Sequence, residues 1–429
     1  ALVIYTGIVI VLLNAFNITL TLPGIAGIVL SIGMAVDANV IIFARVKEEM
    51  AGGKSVKSSL KSGFQKAMSA IVDGNMTTLI AAIVLWVKGT GSVKGFAQTL
   101  ALGIVVSMFT ALVVTRIIIY SFYAVGLRSP KLYGTQKPRK ERDFLKRRVL
   151  SFSISLVIIV AGFIMMGVNS ANRKGAFKYS LEFMGGTSST VTFDKDYSIE
   201  EIDSKIVPVV EKVTGDKNVQ FQKVKDSNAV VIKTISLDLE AREAFNKAMA
   251  DNFGVDTSTI TAENISSTVS SEMRTDAVVA LVIATICMLL YIWFRFKDIR
   301  FGTSAVIALL NDVLFVIAFY AISRTSVGNT FIACMLTIVG YSINGTIIIF
   351  DRIREKLKSA NAKTDITELV NSSITYTFTR NVNTTLTTLI MLVCLLIFGV
   401  ASVKEFAAPL IVGILAGAYS SICITSALW

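Results

Sequence analysis

The sequence contains no histidine among its 429 residues. Histidine is the commonest metal ligand and a frequent general base, so metal sites and catalytic triads built on it are excluded. The chain also lacks the Gly-x-x-x-x-Gly-Lys-Ser/Thr segment that cradles phosphates in P-loop ATPases. We find no catalytic constellation, and we predict neither an enzyme nor a bound cofactor. Any energy that the protein uses is expected to come from an ion gradient rather than from ATP.

Charged residues are scarce, at 17%, whereas 53% of the residues are hydrophobic and the mean hydropathy is +0.66. This composition excludes an ordinary soluble domain and predicts membrane helices. The four cysteines all fall inside apolar runs, where free thiols act as small packing residues. The net charge of +12 comes from basic residues in short loops beside these runs. Such a distribution is typical of cytoplasmic loops and argues against a nucleic-acid surface.

Ten apolar segments are predicted to cross the bilayer as helices. They are residues 1–19, 25–46, 67–87, 95–123, 149–168, 277–294, 302–322, 331–350, 376–398 and 406–429. The chain opens on Ala1 inside an apolar run, with neither an initiator methionine nor a signal peptide. We therefore expect it to be a piece of a longer protein.

The predicted fold class is an α-helical polytopic membrane protein with one small extracytoplasmic domain. Its parts are a membrane half (1–126), a basic cytoplasmic linker (127–148), a helix and its exit (149–177), the extracytoplasmic domain (178–270) and a second membrane half (271–429). Residues 178–270 hold fifteen of the thirty acidic residues against ten basic ones, which places them outside. Their pattern of strand, helix, two strands, helix and strand favours a ferredoxin-like α+β module. Without cysteine, this module must rely on its core.

The two membrane halves contain matching stretches. Residues 33–43 match residues 340–350 at an offset of 307, and residues 76–80 match residues 386–390 at an offset of 310. The cytoplasmic and outer ends follow in the same order in both halves. We therefore predict two pseudo-symmetric parallel repeats of transmembrane helices, related by an axis along the membrane normal. Transporters commonly place their coupling site at such a repeat interface.

Asp37 lies near the midpoint of predicted helix 25–46. A carboxylate at that depth is costly in hydrocarbon, so it normally faces a protein interior or a wet cavity and marks an ion path. Its proton affinity depends on burial and on neighbouring charges, so it can be poised to load and release a proton. Gly33, one turn earlier on the same face, lets another helix approach closely. The alternative is that Asp37 only hydrogen-bonds helices together.

Three further charged residues are candidates for ion translocation. Asp73 is predicted about two turns into its helix from the cytoplasmic side, where the helix dipole alone can favour an acid. Asp312 lies near the middle of its helix. Arg380 opens its predicted helix at a depth close to that of Asp73. It is interpreted either as the cation that tunes a carboxylate or as an interfacial arginine reaching toward water.

Asn39, Asn344 and Ser342 are neutral polar residues in the two matching stretches, and Asn344 stands at the position of Asp37. They can hold water or solvate an ion, but they cannot carry a proton as an acid does. The threonines at 77–78 and 375–388 are interpreted as hydrogen-bonding groups between helices, with a wet ion path as the alternative.

Several motifs resemble the SecD/SecF family of the resistance–nodulation–division superfamily. Residues 22–27, 33–40 and 95–97 look like the C-terminal membrane half of SecD. Residues 182–187, 291–302, 340–342 and 350–355 look like SecF. In order, the chain resembles the fused form of the family, SecDF, with the front of its SecD part absent.

The resemblance implies an accessory subunit of Sec protein export in the bacterial cell membrane, one that uses the proton or sodium gradient to complete translocation on the outer face. The implied partners are the SecYEG channel, YajC, YidC, unfolded preproteins and the lipid bilayer, but no nucleic acid. The resemblance also implies that Asp37 matches the family's proton-path aspartate. Arg380, by its place ahead of residues 384–389, matches an arginine on the same path.

The sequence departs from the family pattern at two places. Gly345 stands where the family motif Gly-Tyr-Ser-x-Asn-Asp-Thr has an aspartate, and Asn311-Asp312 stands for a His-Asp pair. A small-molecule or lipid exporter of the same superfamily is one alternative, and a gradient-independent scaffold of the translocon is another. The small outside domain favours protein export, because a drug exporter would by analogy carry a large outside domain in each half.

Overall fold

The apolar runs form α-helices in the computed structural model, as a lipid environment requires, because a helix satisfies its backbone hydrogen bonds internally. The structure describes residues 1–18, 20–89, 91–134, 143–172, 175–216, 219–224, 227–358, 360–361, 364–399 and 401–429. Among these residues, nine helices are long and apolar enough to cross a membrane. A tenth apolar helix, α1 (Leu2–Ala15), has only 14 residues and falls short of that length.

The first part of the chain contains longer helices than the apolar runs predicted. The helices are α2 (Leu22–Ala51), α3 (Val56–Lys88), α4 (Gly91–Phe109) and α5 (Thr115–Ala124), with a π-helical turn at Thr110–Val114 that joins the last two. The Ser55 hydroxyl accepts a hydrogen bond from the backbone of Ser58 and caps the start of α3. The prediction that this helix starts at residue 67 was therefore wrong, because polar turns continue it toward the preceding loop.

The segment between the two membrane halves contains short helical pieces. It comprises α6 (Pro130–Tyr133) and a 3-10 turn at Leu145–Arg147, followed at once by α7 (Arg148–Ala171). Residues 135–142 of the predicted basic linker lie outside the described residues.

The chain divides into two structural units. The first comprises Ala1–Lys178, Val278–Ser326 and Thr330–Trp429, and the second comprises Tyr179–Ala277 and Val327–Asn329. The elements from residue 178 to residue 265 are β1 (Lys178–Tyr179), α8 (Leu181–Met184), β2 (Gly186–Thr192), α9 (Ile199–Glu201), a π-helical turn (Ile202–Ile206), α10 (Val207–Thr214), β3 (Gln220–Lys223), β4 (Ala229–Thr234), α11 (Leu239–Phe253), a 3-10 turn (Thr257–Thr259) and β5 (Thr261–Ile265).

The second unit is built on a four-stranded sheet with the strand order β3–β4–β2–β5. All three neighbouring pairs are antiparallel, and Thr190 of β2 faces Val231 of β4 and Thr261 of β5. The helices α10 and α11 cover the sheet through a core that includes Ile206, Phe245 and Met249. The predicted order of strand, helix, two strands, helix and strand is thus present.

The last part of the chain returns to long helices. They are α12 (Ser267–Phe296), α13 (Ile299–Ser323), α14 (Asn329–Leu357), α15 (Ile366–Phe398) and α16 (Ala401–Ser420), with β6 (Ser326–Val327) before α14, and a π-helical turn (Ser421–Thr425) and α17 (Ser426–Leu428) at the end. Within its apolar window, α14 is 89% buried, whereas α7 is only 17% buried. The helix that carries Asn344 therefore lies inside the first unit, and α7 presents most of its surface outward.

Candidate functional site

Asp37 and Asn344 occupy equivalent positions in the two matching stretches, and the structure brings them into contact. The side-chain amide of Asn344 donates a hydrogen bond to Oδ2 of Asp37 at 3.2 Å. Asp37 is only 4% exposed. A carboxylate of α2 thus meets a neutral amide of α14 near the middle of both helices.

Arg380 is the third member of this group, which we call the central site (Asp37, Asn344 and Arg380). It lies on α15, is 8% exposed, and is close enough to Asp37 for electrostatic attraction. Asp351 and Glu48 also attract it. Arg380 lies fourteen residues after the start of α15 at Ile366, so the prediction that it opens its helix was wrong. A cation buried at this depth is costly unless charges or water compensate it.

Several buried polar atoms of the central site have no hydrogen-bond partner among the described residues. They are Oδ1 of Asp37, Oδ1 of Asn344, and Nε and Nη2 of Arg380. Both side-chain amide atoms of Asn381, the residue after Arg380, are also unpartnered. Buried polar groups are normally satisfied by protein or by ordered water. These atoms are therefore suited to binding ordered water inside the membrane part.

Two glycines allow the helices of this site to approach closely. A methyl group built on Gly340 of α14 would lie 2.9 Å from Cα of Thr78 in α3. The equivalent Gly33 of α2 packs on Thr388 of α15, where a methyl group would lie 3.4 Å from Cα. The two contacts are exchanged copies of each other, as the predicted repeat would produce.

Reciprocal ion pairs join the ends of α2 and α14 that the sequence assigns to the cytoplasm. Arg352 contacts Glu48 at 3.2 Å, and Arg45 contacts Glu355 at 3.8 Å. Within each helix, Arg45 also pairs with Glu48 at 2.9 Å and Arg352 with Glu355 at 2.7 Å. We call these four residues the arginine–glutamate square. Two of its ion pairs link the two membrane halves, as does the hydrogen bond between Asn344 and Asp37.

The carboxylate of Asp73 is held by hydrogen bonds from its own helix and from α12. Its carboxylate accepts hydrogen bonds from Nε of Arg295 at 2.7 Å, from Tyr291 at 2.9 Å and from Ser69 at 3.1 Å. Because α3 begins at Val56, Asp73 lies 17 residues into the helix and not two turns from its start. The helix-dipole interpretation of Asp73 was therefore wrong. The structure gives Asp73 a partner in α12 that holds two helices together.

Asp312 forms a second fully buried group, at 0% exposure. Its Oδ2 accepts hydrogen bonds from the hydroxyl of Ser342 on α14 and from the hydroxyl of Ser420 on α16, the latter at 2.7 Å. Asn311 donates to its Oδ1 at 3.3 Å. Asp312 thus shares α14 with the central site, through Ser342 two residues before Asn344.

Asn39 does not belong to the central site. Its Oδ1 accepts a hydrogen bond from Thr115 at 2.8 Å, and its amide donates to the carbonyl of Ala35 at 2.9 Å. Asn39 therefore ties α2 to α5, on a different side of α2 from Asp37.

The predicted threonine contacts are of two kinds. Thr77 bonds across helices to the carbonyl of Gly340 at 3.2 Å, and Thr388 pairs with the hydroxyl of Tyr341 at 3.0 Å. Thr384 and Thr387 instead donate to carbonyls of their own helix. The interpretation as helix–helix hydrogen bonds thus holds for part of the run only.

Three features were not predicted from the sequence: the partner of Asp73, the contacts of the arginine–glutamate square, and a pocket beside Gly345. The square had a signal, because the two Arg and Glu pairs match at the offset of 307. The pocket, which is lined by residues of three helices, had none. Among the described residues, no cluster of acidic or cysteine side chains has the make-up of a metal site.

The comparisons with known proteins all point to the same family. The model of the family described as "Protein export membrane protein SecD/SecF, C-terminal" matches residues 1–124 and 245–429. The protein translocase subunit SecDF of Bacillus subtilis is 36% identical over 99% of this chain and 59% of its own length. The chain therefore spans somewhat more than half of this relative. SecF of Desulfurispirillum indicum, a separate chain, is 31% identical and is matched over 90% of its length by 66% of this chain.

A solved structure has the same architecture. The crystal structure of SecDF from Thermus thermophilus, titled as a translocon-associated membrane protein, is 33% identical and superimposes with a TM-score of 0.84. The match covers 100% of this chain and 57% of that one. Together with the nine apolar helices of the described residues, these matches make the chain a multi-pass protein of the bacterial membrane. It belongs to the SecD/SecF family of protein-export membrane proteins.

Proposed function

We propose that the chain is the membrane part of an accessory subunit of Sec protein export, and that it couples the proton or sodium gradient to late steps of preprotein translocation. Its partners would be the SecYEG channel and unfolded preproteins, with YajC and YidC as further candidates. The observation that supports this proposal most directly is the central site. A buried carboxylate, a neutral amide and a buried cation meet there between the membrane halves, and several of their polar atoms have no partner among the described residues.

The chemistry of the central site suits an ion switch. When Asp37 is ionised, it attracts Arg380 and accepts the hydrogen bond of Asn344. When a proton or sodium ion binds to Asp37, its charge is neutralised and both attractions weaken. Asp37 lies on α2, whereas Asn344 and Arg380 lie on α14 and α15, so loading changes the contact between the two halves. In this proposal the helices around Asp37 have two preferred arrangements, and ion binding shifts the equilibrium toward one of them.

The movement would be passed to the extracytoplasmic part of the protein and used there on the preprotein. In this proposal, Asp37 binds the ion, Asn344 orients the carboxylate, and Arg380 returns Asp37 to its ionised form after release. Asp73 and Asn39 have structural roles between helices.

The proposal is tested by export of a secreted reporter in cells that carry the full-length protein with Asp37→Asn. We expect export to fall to the level of the deletion strain, with normal amounts of the variant in the membrane. The matched control is Asp251→Asn, which changes an exposed acid of α11 and should export like the parent. Parental export in the Asp37→Asn strain at every imposed gradient would contradict ion coupling.

The same experiment separates the alternatives. A scaffold is indicated if deletion lowers export while Asp37→Asn does not. A small-molecule or lipid exporter is indicated if reporter export is unchanged by deletion while sensitivity to toxic compounds rises. The reported relatives are named as protein translocase subunits, which favours protein export for this chain.

A further inference from the structure

The arginine–glutamate square contains ion pairs within each helix and ion pairs between the two helices. Glu48 lies 2.9 Å from Arg45 of its own helix and 3.2 Å from Arg352 of α14. Glu355 likewise lies 2.7 Å from Arg352 and 3.8 Å from Arg45. If α2 and α14 move apart, the pairs between the helices break and the pair within each helix remains. No charge is then left unpaired, so the separation avoids the large cost of an isolated buried charge.

The two arginines of the square are largely shielded from water. The side chains of Arg45 and Arg352 are 12% and 13% exposed, and that of Glu48 is 19% exposed. Partly buried charges attract each other more strongly than charges in water do. The Nε atom of each arginine is buried and has no hydrogen-bond partner among the described residues. The square therefore holds the two helix ends together, and each arginine keeps one N–H group that is free for a different arrangement.

A third helix, α15, contacts the square through Tyr376. Cζ of Arg352 lies 3.7 Å from the centroid of the Tyr376 ring, and Tyr376 is hydrogen-bonded to Glu48. Arg380 of the central site follows Tyr376 by four residues, about one turn along the same helix. Arg45 repels Arg380 electrostatically, and Glu48 attracts it. The square and the central site are therefore linked through α15 and through their charges.

The square lies toward the helix ends that the sequence assigns to the cytoplasm. Glu48 follows Asp37 by eleven positions on α2, which places both on the same helix face, about three turns apart. Glu355 follows Asn344 by the same spacing on α14. Between these two lies Ile348, which is 2% exposed and lines the pocket beside Asn344. A route along this face from those helix ends to the central site therefore passes the square.

We propose that the arginine–glutamate square is an ionic lock between the two membrane halves. The lock closes the central site to the cytoplasm while α2 and α14 are paired, and it opens when each arginine keeps only the glutamate of its own helix. The structure has the closed arrangement. This inference rests on the proposed function, because the group that the lock closes off is the ion-binding carboxylate of Asp37. It adds a means of preventing an open connection across the membrane through the central site.

Charge swaps within one helix test the lock and keep all four charges. The double variant Arg45→Glu/Glu48→Arg retains the pair within α2, but it places like charges opposite Arg352 and Glu355. The double variant Arg352→Glu/Glu355→Arg does the same from α14. We expect either swap to open the lock, because like charges repel across the contact. The two swaps together should close it again, because opposite charges then face each other at both contacts between the helices.

The readout is the reaction of Ile348→Cys with a membrane-impermeant maleimide. It is measured in inverted vesicles, which expose the cytoplasmic side, with full-length protein that lacks its other cysteines. Each single-helix swap should raise the labelling rate about 10-fold, in proportion to the population of the open arrangement. The four-residue variant should return to the rate of the parent. Parental labelling in both single-helix swaps, or fast labelling in the four-residue variant, would overturn the proposal.

The matched control is a charge swap at an ion pair of the second unit. Glu201 and Lys205 lie 2.9 Å apart, and both side chains are exposed. Glu201→Lys/Lys205→Glu changes the same number of charges away from the square, and its labelling rate at Ile348→Cys should be parental. Labelling as fast as in the α2 swap would show that the effect does not come from the square, and it would also overturn the proposal.

A second measurement tests whether the lock must open during export. Cysteines introduced by Glu48→Cys and Arg352→Cys, whose parental side chains lie 3.2 Å apart, are joined in inverted vesicles by a reducible bis-maleimide. Preprotein translocation should fall to the level of vesicles without the protein, and reduction of the cross-link should restore it. Each single-cysteine variant treated with the same reagent is the control and should remain active. Unchanged translocation with the cross-link complete would overturn the proposal.

The outcomes also separate this inference from the proposed function. If the charge swaps leave the labelling of Ile348→Cys unchanged while Asp37→Asn abolishes export, the lock is wrong and the ion switch stands. If either swap raises the labelling, the four-residue variant restores it, and Asp37→Asn exports like the parent, the lock stands and the ion switch fails.

Discussion

Asn344 donates its side-chain N–H to Oδ2 of Asp37 across 3.2 Å, although the two residues lie 307 positions apart in the chain. The hydrogen bond joins an acid and its neutral counterpart from equivalent positions of two matching stretches. The charge therefore belongs to one half of the chain, and the group that orients it belongs to the other.

The first prediction concerns this hydrogen bond. We expect Asn344→Ala to change the affinity of Asp37 for its ion by roughly 10-fold, since a hydrogen bond to a charged group contributes about 1.5–3 kcal/mol. The measurement is reporter export against the size of the imposed gradient, read as a shift of the half-maximal point.

Asn39→Ala is the matched control for this substitution. It removes an asparagine of α2 that bonds Thr115 instead of the central site. Its half-maximal gradient should equal that of the parent. An equal shift in both variants would mean that the effect comes from general loosening of α2 and not from the contact with Asp37.

The second prediction compares two equivalent glycines. Gly340→Ala places its methyl group 2.9 Å from Cα of Thr78, so α3 and α14 must move apart. We expect a loss of about 1–3 kcal/mol, as for other overpacked sites. Gly33→Ala reaches Thr388 at 3.4 Å, an ordinary contact, and should cost much less. Thermal unfolding of the purified proteins in detergent measures both, and equal midpoints would contradict the prediction.

The third prediction concerns the arginine–glutamate square. A double-mutant cycle on Glu48 and Arg352, which are 3.2 Å apart, should give a coupling free energy of about 1 kcal/mol. The cycle on Arg45 and Glu355 should give less, because they are 3.8 Å apart and the Glu355 side chain is 45% exposed. Unfolding midpoints of the four variants in each cycle provide the values. Strict additivity in the Glu48–Arg352 cycle would show that the pair does not join the two halves energetically.

The fourth prediction concerns the core of the second unit. Phe245 is fully buried between α11 and the sheet, and no cysteine reinforces this core. We expect Phe245→Ala to lower the free energy of unfolding of this unit by about 3–5 kcal/mol. Leu239→Ala, at a 73% exposed position of the same helix, should change it by less than about 0.5 kcal/mol. Hydrogen exchange of α11 in the intact protein distinguishes them, and equal protection in both variants would contradict the prediction.

The sequence predicted the apolar segments well and their ends poorly. Hydropathy detects the part of a helix that lies in hydrocarbon, whereas the helix itself continues through polar turns for as long as its backbone is capped. The error at α3 placed Asp73 near the start of a helix instead of in its interior, and the error at α15 did the same for Arg380. Both residues received interpretations that depended on a helix end that is not there.

The internal repeat was more informative about the site than hydropathy was. Matching residues 33–43 to residues 340–350 predicted that Asn344 lies opposite Asp37, and the structure shows these two in contact. The partner of Asp73 could not be found in this way, because Arg295 lies 222 positions away and has no counterpart in the offsets. The pocket beside Gly345 depends on the packing of three helices, which no pattern in one sequence records.

Because α2 and α14 contact each other reciprocally, the two membrane halves are needed in equal numbers. Neither half holds a complete set of partners, so each depends on one copy of the other. If the two halves were separate chains, a cell would have to balance the synthesis of two polypeptides and wait for them to meet. In this chain the peptide backbone fixes the ratio at one to one and makes the meeting intramolecular. A half made in excess, with its buried charges unmatched, cannot arise.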